Sequence, residues 1–182
     1  MVATSYTVAF EGVEARLVEV QCAITAGMPS FAIVGLPDKA VSEARERVRT
    51  ALTEMAIALP SKRITVNLSP ADLPIALALL AALDIVPHDE VARTVSLGEL
   101  SLGGRLVPVI GALPAAMAAA EEDRMLLCPQ ASGPEAAWVD AAEVIGAASL
   151  AEVIRHYTGA QPIAPARPGE VDHVAAGLGR VG

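Results

Sequence analysis

The segment FAIVGLPDKAVSEARERVRTAL, residues 31–52, restricts the folds open to this chain more than any other. An apolar run meets Gly35 and Pro37 and gives way at once to a charged stretch of helical period. Such a run suits a strand in the middle of a sheet. Pro37 keeps the chain extended before Asp38, a good N-cap. Val41, Ala44, Val48, Ala51, Leu52 and Met55 then recur on one helical face. Glu43, Arg45, Glu46, Arg47 and Arg49 take the other faces, with Glu43 four residues before Arg47, the favourable order for an ion pair. A strand that turns straight into an amphipathic helix calls for a sheet with helices packed on it.

The same junction is where α/β proteins hold phosphate. A phosphate loop needs several glycines followed by Lys-Ser or Lys-Thr, so that backbone N–H groups cradle the anion. Here Gly35 is followed by Leu36 and Pro37, and Lys39 by Ala40. Pro37 removes an N–H that a cradle would use. No segment matches GxxxxGK[ST], and the turn reads as scaffold.

The rest of the chain alternates in the same way. Residues 6–10 and 15–24 read as a strand pair joined at Glu11-Gly12. KRITVNLSP is a strand with Ile64, Val66 and Leu68 on one face. Residues 75–83 read as an Ala/Leu helix that stops near Asp84, and TVSLGELSLGGRLVPVIGALP as a hairpin turning at Gly103-Gly104. LPAAMAAAEEDR is helical, MLLCP and AEVIGA are short strands, and Ser149 caps a final helix to His156. Residues 1–159 form one domain, and residues 160–182 read as a Pro-rich linker or tail.

Hydrophobic residues make up 53% of the 182 but aromatics only 3%, so the core is aliphatic and Ala-rich. The formal charge of -8 makes a poor general nucleic-acid binder, because neutralising phosphates takes clustered Lys and Arg. Five of the thirteen basic side chains nevertheless fall close together: Arg45, Arg47, Arg49, Lys62 and Arg63. They read either as an edge that contacts nucleic acid or a subunit, or as a solvated helix face balanced by Glu43, Glu46 and Glu54, which the charge balance favours. Ser69 and Ser101 read as strand or turn residues. Cys22 and Cys128 suit a reduced, cytoplasmic protein. His88, His156 and His173 have no metal-ligand spacing. No secretory signal opens the chain, and the longest apolar run, residues 73–83, has about half the length a membrane span needs.

GLPDKAVSEARERVRTAL, PSKRITVNLSPADLP and GELSLGGRLVPVIGALPAA together resemble the N-terminal domain of the ComM/YifB magnesium-chelatase-like (ChlI-type) AAA+ family. The resemblance runs from the N-terminus to about Gly159. It implies a Lon-protease-like, ribosomal protein S5 domain 2-type fold, an α/β (α+β) architecture with a mixed sheet and packed helices. It further implies a AAA+ module in the same polypeptide that binds ATP and Mg, and a homo-oligomer, a hexameric ring, through that module. DNA branch migration during natural transformation is the implied activity, with DNA a candidate partner, no membrane, and no cofactor or metal in this chain. The chelatase name does not establish chelation.

Two departures qualify the resemblance. Family members carry a Gly-rich charged loop between a doubled DLP and the helix that follows. Here a single DLP, Asp72 to Pro74, runs directly into Ile75. The loop is either deleted or mobile and passed over by the numbering, and the fit of the flanks favours the second. Lon-like peptidases also place a catalytic lysine after a GGL-type turn. The matching residues are Gly111, Ala112 and Leu113, and Pro114 follows. Proline cannot act as a base, so a non-catalytic accessory domain is expected. The alternatives are a protein-interaction or assembly module without DNA contact and a Lon-like peptidase with an unusual nucleophile.

Overall fold

The computed structural model describes residues 1–35, 38–67 and 71–169. Strands β1 (Val2–Glu11) and β2 (Glu14–Thr25) form the hairpin that the alternation predicts, in a register that pairs Val2 with Ala23 and Glu11 with Glu14. Gly12, at φ +64, takes a turn position that would strain a side chain. After β3 (Ser30–Val34) comes α1 (Asp38–Glu54), then β4 (Arg63–Asn67), α2 (Asp72–Ala82), α3 (His88–Ala92) and β5 (Thr94–Ser96). Next come β6 (Glu99–Leu100), β7 (Leu106–Val107), α4 (Ala112–Glu121), β8 (Met125–Pro129), α5 (Gly133–Ala136), β9 (Val144–Ala147) and α6 (Leu150–Tyr157).

Among the described residues the main sheet has seven strands in the order β3-β4-β2-β1-β5-β8-β9. It is mixed. The β2 strand is antiparallel to β1 and β4, while β3–β4, β1–β5, β5–β8 and β8–β9 are parallel. The expected mixed α/β architecture is therefore present. Three local expectations need correction. The β3 strand lies at the edge of the sheet, not in its middle. Its inward residues Phe31 and Ile33 are buried while Val34 is exposed, so one apolar face was read as two. Second, α2 begins at Asp72, three residues before Ile75, and runs through Pro74 without interruption. Pro74 sits in the first helical turn, where its missing N–H costs nothing. The chain is thus continuous between Pro74 and Ile75, and the family loop is absent here. Third, the long hairpin is broken: β5 joins the main sheet, and β6 and β7 form a separate two-stranded ladder around Gly103 and Gly104. Leu68 and Ser69 lie outside the described residues.

Each face of the sheet has its own core. On one side α1, α2 and α6 cover Val20, Cys22, Ile64, Val66, Leu127 and Ile145. On the other, α4 and α5 cover Val8, Val95, Leu126, Cys128 and Val144. Every residue of α2 is buried, and Leu73, Ile75, Leu77, Leu79 and Leu80 each contribute about 1.5–3 kcal/mol. Ala112, Ala115, Ala116 and Ala119 are fully buried on α4, so small side chains bring that helix close to the sheet. Buried hydroxyls find partners: Ser5 donates to the Pro74 carbonyl at 2.7 Å and Thr7 to the Ser96 carbonyl at 2.6 Å. The expected Ser149 cap is present, its oxygen accepting from the Glu152 N–H at 3.2 Å. No helix among the described residues is long and apolar enough to cross a membrane.

Residues 160–169 have no regular secondary structure, yet they lie against the body. Gln161 N–H donates to the Arg155 carbonyl, Ile163 N–H to His156 Nδ1, Ala166 N–H to the Val144 carbonyl on β9, and Gly169 N–H to the Pro134 carbonyl.

Candidate functional site

The five basic residues singled out from the sequence sit on α1 and at the start of β4, and the structure divides them. Arg47 turns inward. Its Nε lies 2.6 Å from Asp72 Oδ2 and its Nη2 3.0 Å from Oδ1, a bidentate pair in which the Asp72 side chain is only 1% exposed. Asp72 also accepts the Leu100 N–H at 3.0 Å. One carboxylate thereby joins α1, the start of α2 and β6. Its hydrogen bond, helped by the charges of Asp72, Glu99 and Glu43, raises the Arg47 pKa against burial, which lowers it. Glu99 lies 3.6 Å from Arg47 Nη2. Burial first, then a hydrogen bond to Asp72 and its charge, push the Glu99 carboxyl up to about 8, with Arg47 opposing.

Arg45 donates from Nη1 to the Phe31 carbonyl at 3.1 Å, on the edge strand β3. The remaining three, Arg49, Lys62 and Arg63, are exposed. Of the three, Arg49 lines a groove of about 600 Å³ between the end of α1, the connection to β4 and the start of β3, whereas Lys62 and Arg63 do not. Phe31, Ile57, Leu59, Pro60 and Ile64 give it an apolar floor, and Arg49 stands on its wall. The sequence reading found the cations and missed the floor. The segment AIALPS, residues 56–61, carries no motif, and its Ile57 and Leu59 were the available signal.

A smaller cleft, of about 310 Å³, lies at the tip of the β1–β2 hairpin between Val13, Glu14, Pro114, Met117 and Glu121. Pro114 occupies the first turn of α4. Gly111 caps that helix at φ +101 beneath the Phe10 ring, where an added Cβ would meet ring carbon at 2.5 Å. Ser101 serves a turn, its oxygen accepting the Arg105 N–H at 3.1 Å. Burial pushes the Cys22 and Cys128 thiols up to about 12, which leaves them unreactive. Among the described residues no three His, Cys, Asp or Glu side chains gather closely enough to hold a metal ion.

The model of the family described as subunit ChlI of Mg-chelatase matches residues 18–132, from β2 past the Asp72 junction and α4. The chain belongs to the ChlI family. A protein of Mycobacterium tuberculosis is 39% identical to this ChlI domain over 159 residues, covering 82% of the chain and 32% of the relative. Competence protein ComM of Haemophilus influenzae is 37% identical over 167 residues, covering 87% and 33%. YifB of Escherichia coli is 39% identical over 131 residues, covering 67% and 26%. The ChlI domain therefore spans about a third or less of the length of these relatives.

Proposed function

We propose that this chain is the non-catalytic accessory module of a Mg-chelatase-like AAA+ ATPase that drives DNA branch migration in natural transformation, and that its groove seats protein rather than DNA. Family membership and the ComM relative, a competence protein by name, support the setting. Relatives about three times as long supply room for a motor module, to which we assign ATP and Mg. The described residues suit neither group: Gly35 stands without further cradle glycines, and no ligand cluster is present. The non-catalytic reading rests on Pro114, which stands where a Lon-like lysine is expected, and on the position of both lysines elsewhere, at Lys39 and Lys62.

The observation that carries the choice of protein over DNA is the division of the five cations. Asp72 engages Arg47 and the Phe31 carbonyl engages Arg45, and of the remaining three only Arg49 lines the apolar groove. A phosphate backbone is gripped by clustered cations, and single strands add exposed aromatic faces for stacking. Phe31, the aromatic of the groove, is buried. The test is fluorescence anisotropy of a labelled four-way junction with this chain between about 50 and 200 mM salt. Weak binding, unchanged in Arg49→Glu/Lys62→Glu/Arg63→Glu, is expected. Tight binding with a steep salt slope that those substitutions flatten would assign the groove to DNA.

A further inference from the structure

One of the bonds that hold the segment after α6 has an imidazole as its acceptor. Ile163 N–H donates at 2.9 Å to Nδ1 of His156, which stands in the last turn of α6. A backbone N–H can only donate, so Nδ1 must offer a lone pair, and the proton of the neutral ring sits on Nε2. The Ile163 side chain packs against the core shared by α1, α2 and α6. The other bonds of the segment are isolated. Gln161 N–H reaches the Arg155 carbonyl at 3.0 Å and its Oε1 accepts from Arg155 Nε at 3.2 Å. Ala166 N–H reaches the Val144 carbonyl at 2.8 Å, and Gly169 N–H the Pro134 carbonyl at 3.1 Å. Pro162, Pro165 and Pro168 bring no N–H of their own, so little can replace a bond that is lost.

We propose that His156 is a latch, and that its protonation releases residues 160–169 from the folded body. In the imidazolium both ring nitrogens donate, so Nδ1–H would face the Ile163 N–H and their bond is lost. Imidazole is the side chain that changes charge between about pH 5 and 8. The surroundings give the charged ring somewhere to go. A cleft of about 390 Å³ opens beside it between α3 and the end of α6, lined by Pro87, Asp89, Glu90, Tyr157 and Gly159. Asp89 is exposed, and Glu90 holds Arg93 at 2.9 Å. The adjoining cleft carries the Asp84–His88 pair. On α6 itself Glu152 stands one turn earlier and Arg155 is engaged by Gln161, while the Tyr157 ring meets the imidazole edge-on at 5.2 Å. Arg167, the charged residue of the segment, is exposed. The ring thus has two sets of partners: the Ile163 N–H when neutral, and the acids of α3 with the last carbonyls of α6 when charged.

Amide hydrogen exchange of the 182-residue chain, resolved by NMR, tests the latch. Each rate is divided by that of an unstructured peptide at the same pH, so that only the protection given by structure is compared. At about pH 8 the Ile163 and Ala166 amides of the wild type are protected, and at about pH 5 both lose protection on the order of tenfold, the worth of a hydrogen bond. His156→Asn places an amide oxygen where Nδ1 lies and takes up no proton, so both amides stay protected at both pH values. His156→Phe has no acceptor and leaves both unprotected throughout. The amides of α2, a helix buried along its whole length, report that each variant is folded. Equal protection of Ile163 at the two pH values in the wild type overturns the proposal. So does a His156→Asn chain that loses protection on acidification as the wild type does. Protection lost at Ile163 but kept at Ala166 confines the effect to one bond, and that result also overturns release of the segment.

Discussion

Asp72 is the residue on which α1, α2 and β6 converge, and its neighbour Glu99 is the residue whose titration reports on them. Glu99 keeps its proton in the fold up to about 8, against 4.5 for the ordinary group. The folded state therefore binds more protons than the unfolded chain across that window. Stability is fullest at and below its lower edge and falls as pH rises through it. Glu99→Gln, which retains a hydrogen-bond donor and cannot ionise, should remove most of that fall. The side chain is 38% exposed, so solvent screens the effect and its direction is the criterion. Urea midpoints at about pH 5 and pH 8.5 check it: wild type should lose more between them than the variant, and equal losses would refute the assignment. The sequence made Arg47 legible as a helix cation paired with Glu43. Its actual partner comes from 25 positions away, a distance that helical spacing rules cannot reach.

Helix ends show where element-level reading stops. Helices α1, α2 and α4 terminate alike, with a left-handed residue after the last turn: Ala56 at φ 58, Asp84 at φ 58 and Asp123 at φ 54. Ile57, Ile85 and Arg124 then donate back to the carbonyls of Leu52, Leu80 and Ala119. This is the paired-hydrogen-bond helix stop that usually carries glycine at the left-handed position. Because none of the three is glycine, the sequence places the stops only approximately. Ala56 bears the Cβ penalty of that conformation without a polar side chain to offset it. Ala56→Gly should therefore stabilise the chain by about 0.5–1 kcal/mol, read as a rise in urea midpoint at unchanged slope. A fall would mean that the greater freedom of glycine in the unfolded chain outweighs the relief. The edge position of β3 escaped sequence reading for a related reason. Apolar alternation records which faces are buried and says nothing about which backbone edge is paired.

At the scale of the molecule, the alternation of strands and helices was legible because each element has to bury one face; the mixed sheet was what the family resemblance implied, and the covering of both its faces by helices emerges only in the fold. The groove was not legible, because its floor is assembled from β3, β4 and the connection after α1, which meet only in the folded chain. The segment after α6 gave a composition signal for a linker, and its first part is held to the body by backbone hydrogen bonds that composition does not encode. Ala166→Pro removes the N–H that bonds the Val144 carbonyl and should release that segment. Trp138, the single tryptophan of the chain, reports it, because Gly169 lies against the indole Nε1. Its emission should shift to the red; an unchanged spectrum would show that the other contacts suffice to hold the segment.

That attachment carries the folded body ten residues further along the chain, from Gly159 to Gly169. A tether free from Gly159 would have ten more residues of slack than one starting at Gly169, about 33 Å of extended chain. Pinned to β9 and beside Trp138, residues 160–169 pass a pull applied at Gly169 directly to the folded body.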